Sequence, residues 1–326
     1  MRKSFIFSTS STSSFFASSF ARKAAIGVLA LVLSAAGFAE AALPKIVVAD
    51  ANTTHHLNLY VAKELGIFEK HGLDVVIESV ADNAAARDLV VSGGADVFWS
   101  CPTVAIAAIA NGAPIKSIAQ VKKPCTSVLL VEPDSPIETF ADLKGKEIAG
   151  ISPTCEAVIS LTVKALDAGG SFNLQRLAGG PAIAALESKS VDGAILEEPH
   201  VSIAELQGYK VLFPDVSANI PCRTINASDR VLANSAEELK RFVQAVDEAN
   251  AVILANPVAD NIVDIAARYT GAPKEAIVHG NDRLKFTIIL DTKGLKLLGD
   301  ELLKLGSIKE NPGNKLFAEA FRGITW

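Results

Sequence analysis

Cysteine and histidine side chains offer the most distinctive chemistry in this 326-residue chain. The chain contains four cysteines and one neighbouring histidine pair: Cys101, Cys125, Cys155, Cys222, His55 and His56. Thiolate sulfur and imidazole nitrogen are ligands that soft metal ions prefer. No C-x-x-C pair is present, so the spacing along the sequence does not by itself predict a metal site. Only a fold that brings these side chains together in space could make one.

The four cysteines allow three interpretations, and the sequence leaves all three open. An even number in an oxidising compartment favours two disulfide bonds, for example Cys125 with Cys155 or Cys155 with Cys222. The thiols can instead line a pocket for a soft metal ion, a metal complex or a sulfur compound, with His55 or His56 as further ligands. They can also be small, buried apolar side chains. No cofactor other than such an ion is expected, and its candidate ligands are Cys101, Cys125, Cys155 and His55.

Hydrophobic spacing and turn residues predict alternating strands and helices. A strand at 45–50 precedes a helix whose apolar residues, from Leu57 to Phe68, recur at helical spacing, and Gly66 and Gly72 mark helix ends. Further helices are predicted at 83–91, 102–111, 137–145, 154–167, 235–255, 258–269 and 292–305, with strands at 95–99, 115–121, 127–131, 147–150 and 175–177. This alternation indicates parallel strands with crossover helices, and therefore an α/β fold.

Three segments carry a family resemblance. The first is the strand–helix–strand run from Lys45 to Ile77, the second is the DLKGK segment at 142–146, and the third is VDGAILEEPH at 191–200. In this order they resemble the periplasmic solute-binding proteins of ABC importers, in the group that handles nitrate, sulfonates, taurine and thiamine precursors. The resemblance covers nearly the whole chain after residue 41.

The resemblance implies a type II periplasmic binding protein fold: two lobes, each a parallel-type sheet flanked by helices, hinged by two crossover strands. Lobe 1 would consist of residues 42–126 and 223–326, and lobe 2 of residues 127–222. In that family the lobes close on a small solute, which is delivered to an ABC permease in the inner membrane. We expect a monomeric binding protein, not an enzyme, for a solute that is anionic, sulfur-containing or associated with a metal.

Open α/β sheets bind ligands beyond the carboxyl ends of their strands, and that rule selects the loops after the predicted strands. The expected ligand-binding residues are His55, His56, Ser100, Cys101, Cys125, Thr154, Cys155, Gly180, Glu198, Cys222 and Arg223. The family usually has serine, threonine, glycine or an aromatic residue where this chain has cysteine. The resemblance therefore does not predict nitrate, a sulfonate or taurine as the ligand of this chain.

Several of these residues have an alternative, structural role. His55 and His56 contact the ligand or cap the following helix. One of Glu197 and Glu198 should face the cleft, because neighbours on a strand point to opposite sides. Glu198 can instead accept hydrogen bonds from backbone N–H groups at the start of the next helix. Arg223 suits an anionic group, because its guanidinium binds carboxylates with two parallel hydrogen bonds.

Two further residues are expected to have structural roles. Trp99 alternates with Ser100 along a strand, so a cleft-facing Ser100 places Trp99 in the core. Glu156 lies in the first turn of a predicted helix, where the helix dipole stabilises a carboxylate.

Two other functions remain open. The eukaryotic thiamine-pyrimidine synthases share this fold and use cysteine and histidine residues in the same cleft, so an enzyme acting through a Cys–His arrangement is the first alternative. The clustered run of cysteines found in those enzymes is missing here. The second alternative is a periplasmic binding component that signals to a membrane receptor.

The N-terminal 41 residues have the pattern of a cleavable signal peptide. Basic residues precede an apolar run at 24–38, and the small-x-small tripeptide at 39–41 predicts cleavage after Ala41. No cysteine lies near this position, so we expect a periplasmic protein that is not a lipoprotein. The net charge of −5 argues against a nucleic-acid partner, because phosphates require a basic surface.

Overall fold

The structure is a computed structural model and describes residues 42–321, so the predicted signal peptide lies outside the described residues. Ten strands are present in this part of the chain: β1 (Lys45–Asp50), β2 (Asp74–Ser79), β3 (Val97–Ser100), β4 (Ile115–Lys122), β5 (Val128–Val131), β6 (Lys146–Gly150), β7 (Phe172–Arg176), β8 (Gly193–Leu196), β9 (Lys210–Leu212) and β10 (Cys222–Ser228).

Twelve α-helices lie between and after these strands within residues 42–321: α1 (Leu57–Glu64), α2 (Ile67–Lys70), α3 (Asn83–Val91), α4 (Pro102–Ala110), α5 (Glu156–Asp167), α6 (Gly179–Glu187), α7 (His200–Leu206), α8 (Asp229–Asn234), α9 (Ala236–Ala255), α10 (Asp260–Thr270), α11 (Lys274–Gly280) and α12 (Thr292–Lys304). The predicted helix at 137–145 is only a 3-10 turn at Phe140–Leu143. No helix among the described residues has both the length and the apolar character needed to cross a membrane.

The strands form two five-stranded sheets, in the orders β2-β1-β3-β10-β4 and β7-β6-β8-β5-β9. The predicted two-sheet α/β class is confirmed, but each sheet is mixed rather than parallel. β10 is antiparallel to β3 and β4, and β5 is antiparallel to β8 and β9. The reason is that the chain arrives at each of these strands from the other sheet, so the strand begins where its neighbour ends. Cys222 at the start of β10 pairs with Lys122 at the end of β4. Val128 at the start of β5 pairs with Leu196 at the end of β8.

The chain passes between the two sheets twice, through residues 123–127 and 213–221. Both passages are irregular segments and not the expected crossover strands. Proline interrupts them, at Pro124 in the first and at Pro214 and Pro221 in the second, and proline lacks the N–H that a strand ladder requires.

Apolar side chains pack on both faces of each sheet. Phe98 and Trp99 are neighbours on β3 and belong to different clusters of the core, as strand alternation requires. Trp99 is fully buried, and its ring lies edge-on to Phe242 of α9, whose ring stacks on Phe68 with centroids 5.1 Å apart. The prediction that Trp99 is a core residue is thereby confirmed. Leu65, expected on the buried face of the first helix, is instead 43% exposed because α1 ends at Glu64.

Replacing Phe242 with alanine should destabilise the chain by about 3–5 kcal/mol, because it removes the ring that both Trp99 and Phe68 contact and leaves a cavity. Urea unfolding followed by circular dichroism measures the change. Leu254→Ala is the control on the same helix, since Leu254 is exposed. Equal losses for the two variants would contradict this description of the core.

Candidate functional site

The carboxyl ends of the strands in the two sheets face one another, and the loops that follow them touch. Thr53, after β1, donates a hydrogen bond to the backbone oxygen of Glu198, after β8, over 3.2 Å. The guanidinium of Arg223 in β10 donates to the carboxylate of Glu197. The structure therefore shows the two halves of the molecule in contact around a buried polar region.

All four cysteines lie in this region and surround one carboxylate. The sulfur atoms of Cys101 and Cys155 and a carboxylate oxygen of Glu156 lie within 4.8 Å of one another. The sulfur atoms of Cys125 and Cys222 form a second such group with the same carboxylate. All five residues are at most 5% exposed. We call these five residues the thiol cluster.

The residues of the thiol cluster are carried by elements that belong to both sheets. Cys101 follows β3 and precedes Pro102, the first residue of α4. Cys155 and Glu156 begin α5. Of the other two cysteines, Cys125 lies in the first passage between the sheets, and Cys222 is the first residue of β10, directly after the second passage. The cluster thus depends on the relative position of both sheets.

Glu156 is the least satisfied polar residue of the site. It is 1% exposed, and neither carboxylate oxygen has a hydrogen-bond partner among the described residues. A buried polar group without a partner costs about 1–3 kcal/mol, and more if it is charged. The N-terminus of α5 supplies favourable partial positive charge, as expected from the sequence, but no direct hydrogen bond.

Two buried cations lie beside the thiol cluster. Arg223 has a left-handed backbone conformation (φ 60°), and its guanidinium donates to the sulfur of Cys101 as well as to Glu197. Burial alone would lower the pKa of Arg223, but the Cys101 thiol and neighbouring carboxylates raise it well above the ordinary value. Lys122 donates to the backbone oxygen of Pro124 over 2.9 Å. Lys122 was not among the predicted ligand-binding residues, although its position at the end of β4 was the available signal.

The thiols themselves form two contacting pairs, Cys101 with Cys155 and Cys125 with Cys222. The hydrogen bond with Cys155, followed by burial, raises the pKa of the Cys101 thiol well above the ordinary value. Burial and the hydrogen bond with Cys125 do the same to the pKa of Cys222. In the structure all four cysteines are free thiols, and the two pairs in contact differ from the disulfide pairs suggested by the sequence.

The two neighbouring histidines face different groups. His55 Nδ1 lies 3.8 Å from Cys222 Sγ and 3.9 Å from a Glu197 oxygen. Burial, and then the charge of Lys122, hold the pKa of His55 well below 6.5, so the ring is neutral at pH 7. His56 points away from the cluster, with its Nδ1 2.6 Å from Asp50 Oδ1. Neither histidine caps α1 through its side chain, so the capping alternative is wrong.

The two glutamates after β8 have opposite roles, and the structure favours Glu197 over the predicted Glu198. Glu197 lines a cavity of about 400 Å³ between the two sheets. Glu198 is buried and accepts hydrogen bonds from the backbone N–H and the hydroxyl of Ser202 in α7, and it pairs with Arg283. Burial raises the pKa of Glu198 in spite of these partners. This is the structural alternative that the sequence allowed.

The remaining predicted residues lie at the edges of the site. Ser100 is buried and donates to the backbone oxygen of Cys101. The hydroxyl of Thr154 lies 2.8 Å from that of Ser152. Gly180, at the start of α6, lines the 400 Å³ cavity, whose polar wall also includes Asn52, Thr53, Glu197 and His200.

Comparison with known proteins assigns the fold and cleft to a family. The model of the family described as "NMT1/THI5 like" matches residues 53–260, which is more than half of the chain. The chain belongs to this family. Two solved structures share the fold: the aliphatic sulphonate binding protein SsuA from Escherichia coli and the nitrate-binding protein NrtA from Synechocystis PCC 6803. SsuA is 18% identical to this chain, with a TM-score of 0.74, and the match covers 84% of this chain and 92% of SsuA. NrtA is 17% identical, with a TM-score of 0.67, and the match covers 84% of each chain.

The curated relatives contradict the expectation that the chain is not an enzyme. It is 26% identical over 224 residues to 4-amino-5-hydroxymethyl-2-methylpyrimidine phosphate synthase THI11 of Saccharomyces cerevisiae, covering 63% of this chain. It spans only 65% of that relative's length. The synthase of the same name from Uromyces fabae is 36% identical over 97 residues, which are 29% of this chain and 28% of that one. These relatives carry the name of an enzyme, so membership of the family does not exclude catalysis.

Asp50 holds the loop that leads into the site, and its replacement by asparagine should lower stability at neutral pH by about 1–3 kcal/mol. The carboxylate accepts from the Tyr60 hydroxyl over 2.5 Å and pairs with His56. Burial raises the pKa of Asp50, but the charge and hydrogen bond of His56 and the bond from Tyr60 outweigh it and lower the pKa.

Because the pKa of Asp50 is lower in the folded state, the ionised carboxylate stabilises the fold above about pH 4, and this stabilisation is lost as the pH falls further. The stability difference between the wild type and Asp50→Asn, measured by urea unfolding, should therefore shrink on acidification. Asp88→Asn, at an exposed position, is the control. A difference that is independent of pH would contradict the role given to Asp50.

Proposed function

We propose that this protein captures a small ligand between its two lobes, here meaning the halves built on the two sheets, and delivers it to an ABC-type importer. The proposal rests on one observation: cysteines from both halves of the molecule converge on the unpartnered carboxylate of Glu156, and a cavity of about 400 Å³ lined by Glu197 lies between the two sheets. A fold shared with named sulphonate- and nitrate-binding proteins supports it. The ligand is a small anionic, sulfur-containing or metal-associated solute.

The lobes meet through polar contacts at the cleft and also through apolar packing, since Ile159 of α5 belongs to the same core cluster as Leu298 of α12. Arg283, which precedes α12, bonds Glu198 over 2.9 Å and Glu205 of α7. Arg223 bonds Glu197, and Thr53 bonds the backbone of Glu198. The two irregular passages can bend because they have no strand ladder to break. A ligand that binds the closed form more tightly than the open form then shifts the equilibrium toward the closed form by that difference in binding free energy.

Replacing Arg283 with alanine should favour the open form, because it removes the side chain that pairs with two carboxylates across the cleft. Arg283 is 32% exposed, so we expect a loss of about 1–2 kcal/mol, or roughly a ten-fold change in the ratio of open to closed molecules. The radius of gyration from small-angle scattering should increase. Arg241→Ala is the control, because Arg241 bonds backbone oxygens within its own lobe. An unchanged radius for Arg283→Ala would contradict closure by this contact.

Capture itself is tested by scattering with a set of probes: nitrate, taurine, methanesulfonate and Cd²⁺. Binding of at least one probe should make the Arg283→Ala variant more compact. If no probe compacts either this variant or the wild type, the proposal fails. Export is tested by fractionating a Gram-negative host and sequencing the N-terminus of the product, which we expect to begin at Ala42.

The names of the curated relatives favour a second candidate, the synthesis of the pyrimidine phosphate for which they are named. The neutral His55 beside the Cys222 thiol is the arrangement in this chain that such chemistry would use. Expression of residues 42–326 in a S. cerevisiae strain deleted for its four synthases of this name tests the candidate. Formation of the pyrimidine phosphate, measured by mass spectrometry, would support it.

A further inference from the structure

We propose that the thiol cluster is a binding site for a soft metal ion of the d¹⁰ class, represented by Cd²⁺, Zn²⁺ or Cu⁺, with Glu156 as a ligand alongside the cysteines. The inference rests on the proposed function, because the ion is then the captured solute or the part of it that the protein grips. It adds a ligand that the sequence did not suggest and removes one that it did, since His55 belongs to neither group of converging ligand atoms.

The distances suit such an ion. Tetrahedral coordination with metal–sulfur bonds of about 2.3 Å places ligand atoms roughly 3.8 Å apart. The three ligand atoms of each group already lie within 4.8 Å of one another without an ion. Small rotations of the side chains would bring them to bonding distance. Because Glu156 belongs to both groups and both its oxygens lack partners, it can ligate from either oxygen.

The unpartnered carboxylate separates this inference from its rivals. A disulfide between Cys101 and Cys155, or between Cys125 and Cys222, would leave Glu156 as unsatisfied as before. An anion attracted by the neighbouring cations would add negative charge beside it. Only a cation uses the thiols and the carboxylate together, and thiol sulfur selects a soft one.

Binding is a ligand exchange without electron transfer. Each cysteine that bonds the metal loses its thiol proton to the buffer, because the thiolate is the ligand. A divalent ion that takes two thiolates therefore releases two protons, and the net charge of the site is unchanged. Arg223, which donates to Cys101, favours the thiolate at that position.

The ion would also link the lobes. Cys101 follows a strand of the first sheet, whereas Cys155 and Glu156 begin a helix that follows a strand of the second. Bonds to both sides exist only when the lobes are closed. The free energy of metal binding would thus drive the closure proposed above.

The test is a titration of the full chain, reduced, stripped of metal and kept under nitrogen, with Cd²⁺. We expect a saturable thiolate-to-cadmium absorption in the ultraviolet and about two protons released per bound ion. Glu156→Gln keeps the shape of the side chain and should weaken binding at least roughly ten-fold, as should Cys101→Ser. Glu237→Gln is the matched control: Glu237 also lies in the first turn of a helix, but its side chain is 77% exposed.

Three results would overturn the inference. The first is a chain that shows no cadmium absorption although four free thiols are measured after it is unfolded. The second is a native chain whose thiols disappear in pairs through disulfide formation, and the third is equal cadmium affinity of Glu156→Gln and the wild type. Circular dichroism and urea unfolding identify a variant that fails to fold, and Glu156→Gln and Cys101→Ser provide independent variants. Scattering of Arg283→Ala with the same probes separates the two proposals. Compaction by another probe without cadmium binding would reject only the metal site. Cadmium binding without compaction of this variant would reject capture by closure and the bridging of the lobes by the ion, but not metal binding itself.

Discussion

The burial of the Glu156 carboxylate among four thiols is the constraint on which the organisation of the cleft depends. A carboxylate removed from water and left without hydrogen bonds destabilises the fold, so its burial calls for a functional explanation. Two features lower its cost: the N-terminus of α5 and the cations of Arg223 and Lys122. Neither supplies a bond. At Glu156, between the lobes, a buried carboxylate is therefore left without a hydrogen bond from the described residues.

The arrangement of the sheets explains why this position lies where it does. The chain enters the second sheet through β5 and returns to the first sheet through β10, and each of these strands runs antiparallel to its neighbours because it begins at the edge where they end. The carboxyl ends of the parallel strands and the beginnings of β5 and β10 thus share one boundary. Residues from six loops meet there, although they are far apart in the sequence. On the proposed function, closure of the lobes would assemble the thiol cluster, because its residues come from both sheets.

The sequence predicted much of this and missed the rest for physical reasons. The rule that ligands bind at the ends of strands placed Cys101, Cys125 and Cys155 near the cleft, and the alternating pattern predicted most of the helices that follow. Which cysteines contact each other depends on the packing of one sheet against the other, which local spacing does not encode. Strand alternation limited the cleft residue to Glu197 or Glu198, but only the hydrogen bonds from Ser202 decide between them. His56 could not be distinguished from His55 because its partner, Asp50, is a tertiary contact.

The most direct measurement is the position of cadmium in a crystal of the reduced full chain, determined by anomalous diffraction. We predict a peak between the lobes, within bonding distance of at least two cysteine sulfur atoms and one oxygen of Glu156. A closed structure with no peak there, in which water or a protein donor satisfies Glu156, would contradict the central claim that this carboxylate and these thiols grip the ligand.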